Sequence, residues 1–147
     1  MNPILEVLPQ IQAYQLSLLG LAILCLMVLL QSFLSAPLAF LKEEQTPGMP
    51  LTGNHDIRSF RVLRTYANST ENLPAFGFSL FLAILFAVNP TLVNWLVAIH
   101  VASRFAFWVV YYKGIGKVAG GIRTFCYIGG LASNIVLISA CLYTLLK

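Results

Sequence analysis

The sequence predicts an all-α membrane protein: a bundle of four transmembrane helices in a single domain, residues 1–147. Three observations carry that expectation. The chain is 59% hydrophobic and 10% charged, with a mean hydropathy of +0.82, and a soluble core of this size cannot hide so much apolar surface from water. Its apolar residues fall into four runs, each long enough to cross about 30 Å of hydrocarbon. Its charges stand mainly at the ends of those runs, which suits a protein oriented in a bilayer. The net charge of +4 forms no basic stripe with exposed aromatics, so nucleic-acid binding is excluded.

The first span is expected over about 16–41, a run without a charged residue that Pro37 bends or ends. The second occupies about 58–88. Its first half is polar and its second purely apolar, and Asn89-Pro90 closes it as a turn. The third covers about 92–112 and the fourth about 120–146. The short turn at Asn89-Pro90 makes spans two and three a tight antiparallel hairpin. Gly120-Gly121 and Gly129-Gly130 are candidates for close helix packing. Lys42, Arg58, Arg61, Arg64, Lys113, Lys117 and Arg123 fall on one membrane face, and only Lys147 on the other. The positive-inside rule then puts the connections Lys42 to Ile57 and Lys113 to Ala119 in the cytoplasm, with both termini across the membrane. Met1 to Gln15 contains no Lys or Arg, unlike a cleaved signal; with no targeting segment, a bacterial inner membrane is expected rather than an organelle.

Cys25, Cys126 and Cys141 lie inside apolar runs. They are read as small buried hydrophobes, and no Cys/His cluster suggests a metal.

The most telling segment runs from Arg61 to Pro74. Arg61, Arg64, Asn68 and Glu71 advance by three or four residues and fall within roughly 80° of one helix face. Lipid does not tolerate such a face, so it must point into protein, water or a ligand. Pro74 removes one backbone hydrogen bond and frees the carbonyl of Thr70. In span three His100, Arg104 and Tyr111 share a face, with Phe107 between the last two. Arg104 lies about 12 Å inside the cytoplasmic end at 1.5 Å per residue and needs a partner. Either Glu71 supplies it as an ion pair or a ligand does, and the two roles can coexist. His100 is deeper and is read as a helix-packing histidine. In span four Arg123 and Tyr127 are one turn apart, with Thr124 beside them and Asn134 further along the same side. Spans two, three and four thus place polar groups at one level. Arg61, Arg64, Arg104 and Arg123 offer guanidiniums for carboxylates, and Glu71 an acceptor for an amine.

These residues resemble the motifs of the MAPEG family, the membrane-associated proteins of eicosanoid and glutathione metabolism. The resemblance covers about Arg58 to the C-terminus. It rests on R-x-x-R-x-x-x-N-x-x-E-N-x-P-x-F, met by Arg61, Arg64, Asn68, Glu71, Asn72, Pro74 and Phe76. To this are added R-x6-Y, met by Arg104 and Tyr111, and R-[ST]-x-x-Y, met by Arg123, Thr124 and Tyr127. Phe60, Ala67 and Phe107 depart from the polar residues that family members carry at those places. The resemblance implies a four-helix homotrimer that binds glutathione as cosubstrate near the cytoplasmic face, between subunits. Arg64, Asn68, Glu71, Arg104, Tyr111, Arg123 and Tyr127 would hold the peptide. Arg123, helped by Thr124, would stabilise its thiolate. The expected function is that of a glutathione transferase or peroxidase acting on lipophilic small molecules that arrive from membrane lipid. The alternative is a non-catalytic lipid-binding or scaffolding protein on the same fold. A small drug exporter is disfavoured, because the first span lacks the embedded carboxylate such exporters need.

Overall fold

The computed structural model describes residues 9–41, 44–117 and 119–147. Lys42, counted above on the basic face, and the first eight residues of the chain lie outside these. The described residues form four long helices and no strand. They are α1 (Gln15–Ser35), α2 (Arg58–Leu85), α3 (Pro90–Lys113) and α4 (Ile122–Leu146), with a short helical turn, Pro9–Gln12, before α1. Both α2 and α3 pack against α1 and against α4, and against each other.

Among the described residues, three stretches are long and apolar enough to cross a membrane: Gln15–Phe40, Pro90–Lys113 and Ile122–Leu146. The chain is therefore a multi-pass membrane protein. α2 is as long as these, but its first half carries Arg58, Arg61, Arg64 and Glu71. The outer faces are apolar in the way lipid or a neighbouring subunit demands: on α1, Leu16, Leu29 and Phe33 are at least two-thirds exposed, at 68%, 67% and 75%.

At Pro37 the helical stretch does not end, but its α-helical part stops at Ser35. Without a proline N–H to receive, the chain widens into a π-helical turn, Ala36–Phe40, closed by Leu41 N–H donating to the Ala36 carbonyl (3.1 Å). Pro74 likewise leaves α2 continuous. Around it Asn72 Nδ2 donates to the Asn68 carbonyl (2.7 Å) and Thr70 Oγ1 to that of Ala67 (2.8 Å).

The α2–α3 turn is as expected. Asn89 Oδ1 accepts from Leu92 N–H (3.1 Å) and Pro90 opens α3, a favourable N-cap followed by the residue best suited to the first helical position. The same end is tied to α1. Tyr14 Oη donates to the Val88 carbonyl, and Asn94 bonds both Ser17 and the Ala13 carbonyl. Beside these bonds lies the main apolar core: Leu24 and Met27 of α1, Phe76, Leu80 and Ala83 of α2, Val93 and Val97 of α3, and Leu137 and Cys141 of α4. A second, smaller apolar cluster of Ala39, Val62 and Leu63 lies toward the other end, where the polar groups also gather.

Two glycine pairs were candidates for close packing, and only one serves it. Cβ atoms at Gly129 and Gly130 would stand 2.7 Å from Ser103 Oγ and 3.2 Å from Arg104 Cδ, so these glycines let α4 approach α3. Gly120 instead takes a left-handed φ of 72° in the connection before α4. A third contact was not foreseen: a Cβ at Gly20 of α1 would lie 2.5 Å from Val97 Cγ1, a side chain 2% exposed that has nowhere to turn. Gly20→Ala is expected to cost about 1–3 kcal/mol of overpacking. That outweighs the ~1 kcal/mol that helix propensity returns, and it would show as a lower unfolding midpoint in detergent. A stabilised Gly20→Ala protein would show that α1 slides on α3 at no cost.

Candidate functional site

At the end away from the core, α2, α3 and α4 line a cavity of about 300 Å³. Arg64, Asn68 and Glu71 come from α2, Phe107 and Tyr111 from α3, and Arg123, Thr124 and Tyr127 from α4. Seven of the eight residues expected at the site therefore meet in one cavity. Arg104 is the exception and lies beneath it.

On α2, Arg64 Nη1 pairs with Glu71 Oε1 at 3.3 Å, both side chains about half exposed. It is the single ion pair among the described residues. The expected Glu71–Arg104 pair does not form. Arg104, 3% exposed, donates from Nη2 to Asn68 Oδ1 at 2.5 Å, and its guanidinium carbon lies 5.0 Å from the Phe107 ring centre. The physical reason is desolvation. A carboxylate pulled to Arg104's depth loses hydration that the Coulomb gain need not return, whereas Glu71 keeps water at the rim and Asn68 gives the arginine a neutral acceptor. Arg104 thus orients Asn68 from below the floor of the cavity.

Arg61 is a second correction. Its Nη1 donates to the carbonyls of His55 and Asp56 at 2.8 and 2.9 Å, and its guanidinium faces Gly114 rather than the cavity. It clamps the connection before α2 to the end of α3. Gly114, with φ 69°, caps α3, and a side chain there would strike the Arg61 guanidinium, so φ and space both call for glycine. Helical spacing put Arg61 on the shared face, but a long flexible side chain at the first turn of α2 reaches whichever acceptors the preceding loop supplies.

On α4, Arg123 is 4% exposed. Its Nε donates to the Ile115 carbonyl (3.0 Å) and its guanidinium lies over the Tyr111 ring (5.0 Å). Its Nη1 is buried with no hydrogen-bond partner. An orphaned guanidinium nitrogen beside a cavity is a donor in want of an anion. Thr124 Oγ1 accepts from Gly120 N–H (3.0 Å), which holds the start of α4 and leaves the hydroxyl proton free to be donated. Asn134 is deeper and does not line the cavity; its Oδ1 is buried without a partner.

His100 is a packing residue, as expected, though not a solitary one. Its Nδ1 lies 2.9 Å from the Gly130 carbonyl and 3.1 Å from Ser133 Oγ, and its ring stacks on Phe76 at 3.8 Å. A carbonyl can only accept, so the proton sits on Nδ1.

Spacing gave no hint of His55. It belongs to the connection before α2, where no periodicity marks a face, yet its Nδ1 lies 2.8 Å from Tyr111 Oη. Its ring packs edge-on against Phe60 (5.1 Å) as well as Tyr111 (5.4 Å). A neutral imidazole with its proton on Nε2 accepts there from the tyrosine hydroxyl. Burial first, then the charges of Arg123 and Arg64, lower the His55 pKa from 6.5. Because the folded pKa lies below the unfolded one, the stability this contact lends is present above about pH 6.5 and is lost as the pH falls through the lowered value. Ligand affinity at the cavity is expected to drop on that acid limb in the parent protein. It should stay flat in His55→Gln, whose amide oxygen still accepts from Tyr111. Identical acid limbs in the two proteins would remove His55 from the site.

Comparison with known families settles the kinship of this arrangement. The MAPEG family model matches residues 16–143, most of the chain. The chain belongs to the MAPEG family. No curated protein matches it. The matched region contains every cavity-lining residue of this MAPEG protein, and also His55 and the Arg104 floor.

Proposed function

We propose that this MAPEG protein binds glutathione in the α2–α3–α4 cavity and joins it through its sulfur to lipophilic electrophiles, displacing their leaving group, or reduces lipid hydroperoxides to alcohol and water as two glutathiones are oxidised to the disulfide. One observation carries the reading. Arg123, which lines the cavity, keeps a buried guanidinium nitrogen without a hydrogen-bond partner, and the same cavity holds the Arg64–Glu71 pair. A tripeptide with two carboxylates, one ammonium and one thiol matches those charges. A carboxylate suits Arg64, its ammonium Glu71, and its amides Asn68 and the hydroxyls of Tyr111 and Tyr127, which leaves Arg123 for the sulfur. A thiol beside Arg123 in a partly desolvated pocket ionises near neutrality, and Thr124 can donate to the sulfur.

The same reading makes α2 a fourth membrane span. A four-residue turn returns α3 antiparallel to α2, so a crossing α3 carries α2 back beside it through the bilayer. The polar half of α2 then sits at the basic, cytoplasmic end, with its charges turned to the cavity. It also makes the assembly a homotrimer, in which the apolar face of α1 meets a neighbouring subunit and closes the open side of the cavity.

The test is direct. Purified protein in detergent or nanodiscs should conjugate glutathione to a chloronitrobenzene acceptor, and calorimetry should show glutathione binding. Absence of both leaves the non-catalytic lipid-binding reading in its place.

A further inference from the structure

Between the start of α2 and the end of α3 lies a second, larger groove of about 580 Å³, lined by none of the residues that line this cavity. Arg58, Arg61 and Lys113 stand at one end of its lining, and Phe105, Trp108 and Val109 lie along α3 from it. Phe105 to Lys113 spans about 12 Å of helix, so the groove grades from cationic to apolar along the direction a lipid runs in a bilayer. No carboxylate lines it. The single ion pair among the described residues is elsewhere, so these three cations have no acidic partner there. Arg61 is tied to loop carbonyls through Nη1, and those bonds leave its charge uncompensated. Phe105 is 56% exposed and the groove is open, so its apolar wall needs a cover. Clustered cations beside a membrane helix attract anionic head groups, by about fivefold in occupancy per cation near the surface.

We propose that this groove is a binding site for a membrane phospholipid with an anionic head group. The head group sits against Arg58 and Lys113, and one acyl chain lies along Phe105, Trp108 and Val109. The site is independent of the thiol cavity and stands whether or not glutathione binds.

The chain has two tryptophans, and Trp95, well exposed, lies near the other end of α3. A Trp95→Phe protein therefore leaves Trp108 as the sole reporter. In nanodiscs, phosphatidylglycerol with brominated chains is expected to quench Trp108 at about one-fifth or less of the mole fraction that brominated phosphatidylcholine needs. Arg58→Gln with Lys113→Gln should bring the two lipids together. Equal quenching in the Trp95→Phe protein overturns the proposal without recourse to the double variant. So does quenching by neither lipid, which would mean that a second copy of the chain covers the groove. Relief of quenching by inorganic phosphate at constant ionic strength would reassign the cations to a soluble anion and also overturn it.

Discussion

Arg123→Ala is expected to lower kcat/KM for thiol conjugation by about 10²–10³-fold, the usual cost of removing one preorganised donor from developing or resident negative charge. Arg123 already spends Nε on the Ile115 carbonyl and rests on the Tyr111 ring, so the guanidinium is held before any ligand arrives. Its Nη1 remains to be satisfied. The sign of the pH effect follows from the charge. A cation beside a thiol holds its pKa below the free value of about 8.5, and removing the cation lets it rise. The rising limb of the pH–rate profile should therefore move to higher pH in Arg123→Ala. Arg123→Lys should recover the charge but not the fork, because one ammonium does not hold Ile115 and reach the sulfur together. A slower variant with an unmoved pH profile would make Arg123 a structural residue only.

The largest expected effect on stability is at Asn68. Its Oδ1 is the acceptor of Arg104, and both residues are buried. Asn68→Leu strands a guanidinium at a depth where an unpaired arginine costs at least ~2.5 kcal/mol. A loss of about 3 kcal/mol is expected, read by unfolding in detergent. Arg104→Met removes the charge itself and should cost less, about 1–2 kcal/mol from the amide left without its donor. The double variant should fall short of the sum by about 1.5–3 kcal/mol. Glu71→Gln and Arg104→Gln, the pair that spacing suggested, should instead simply add, because Glu71 is engaged with Arg64. Strong coupling there, with none between Asn68 and Arg104, would reverse the assignment.

How far the site was legible depends on the kind of residue. Asn68, Glu71, Tyr111, Thr124 and Tyr127 have short or stiff side chains that stay near the helix face their position dictates, and periodicity placed them together. Arginine obeys that rule only in part: Arg64 and Arg123 reach the cavity, whereas Arg61 and Arg104 do not line it. Arg61 and Arg104 sit on the expected faces, yet one guanidinium turns down to the His55 and Asp56 carbonyls and the other ends under the cavity floor. A side chain with that reach is placed by its acceptors, and acceptors on other elements are not visible in local spacing. His55 was missed for the complementary reason: loop residues carry no period, and only the folded connection brings the imidazole to Tyr111.

Composition and pattern by themselves determined that the chain is an all-helical membrane protein. They determined where its long helices run and which three of them carry polar groups at one level. Those properties depend on hydration of apolar runs and on helix pitch, both local. The tertiary structure decided which polar groups share a cavity, which carboxylate pairs with which arginine, and that Arg58, Arg61 and Lys113 line a separate groove. Those choices are set by depth. Desolvation keeps Glu71 at the wet rim, gives Arg104 a neutral amide below it, and leaves Arg123 with one nitrogen unpartnered at the cavity wall.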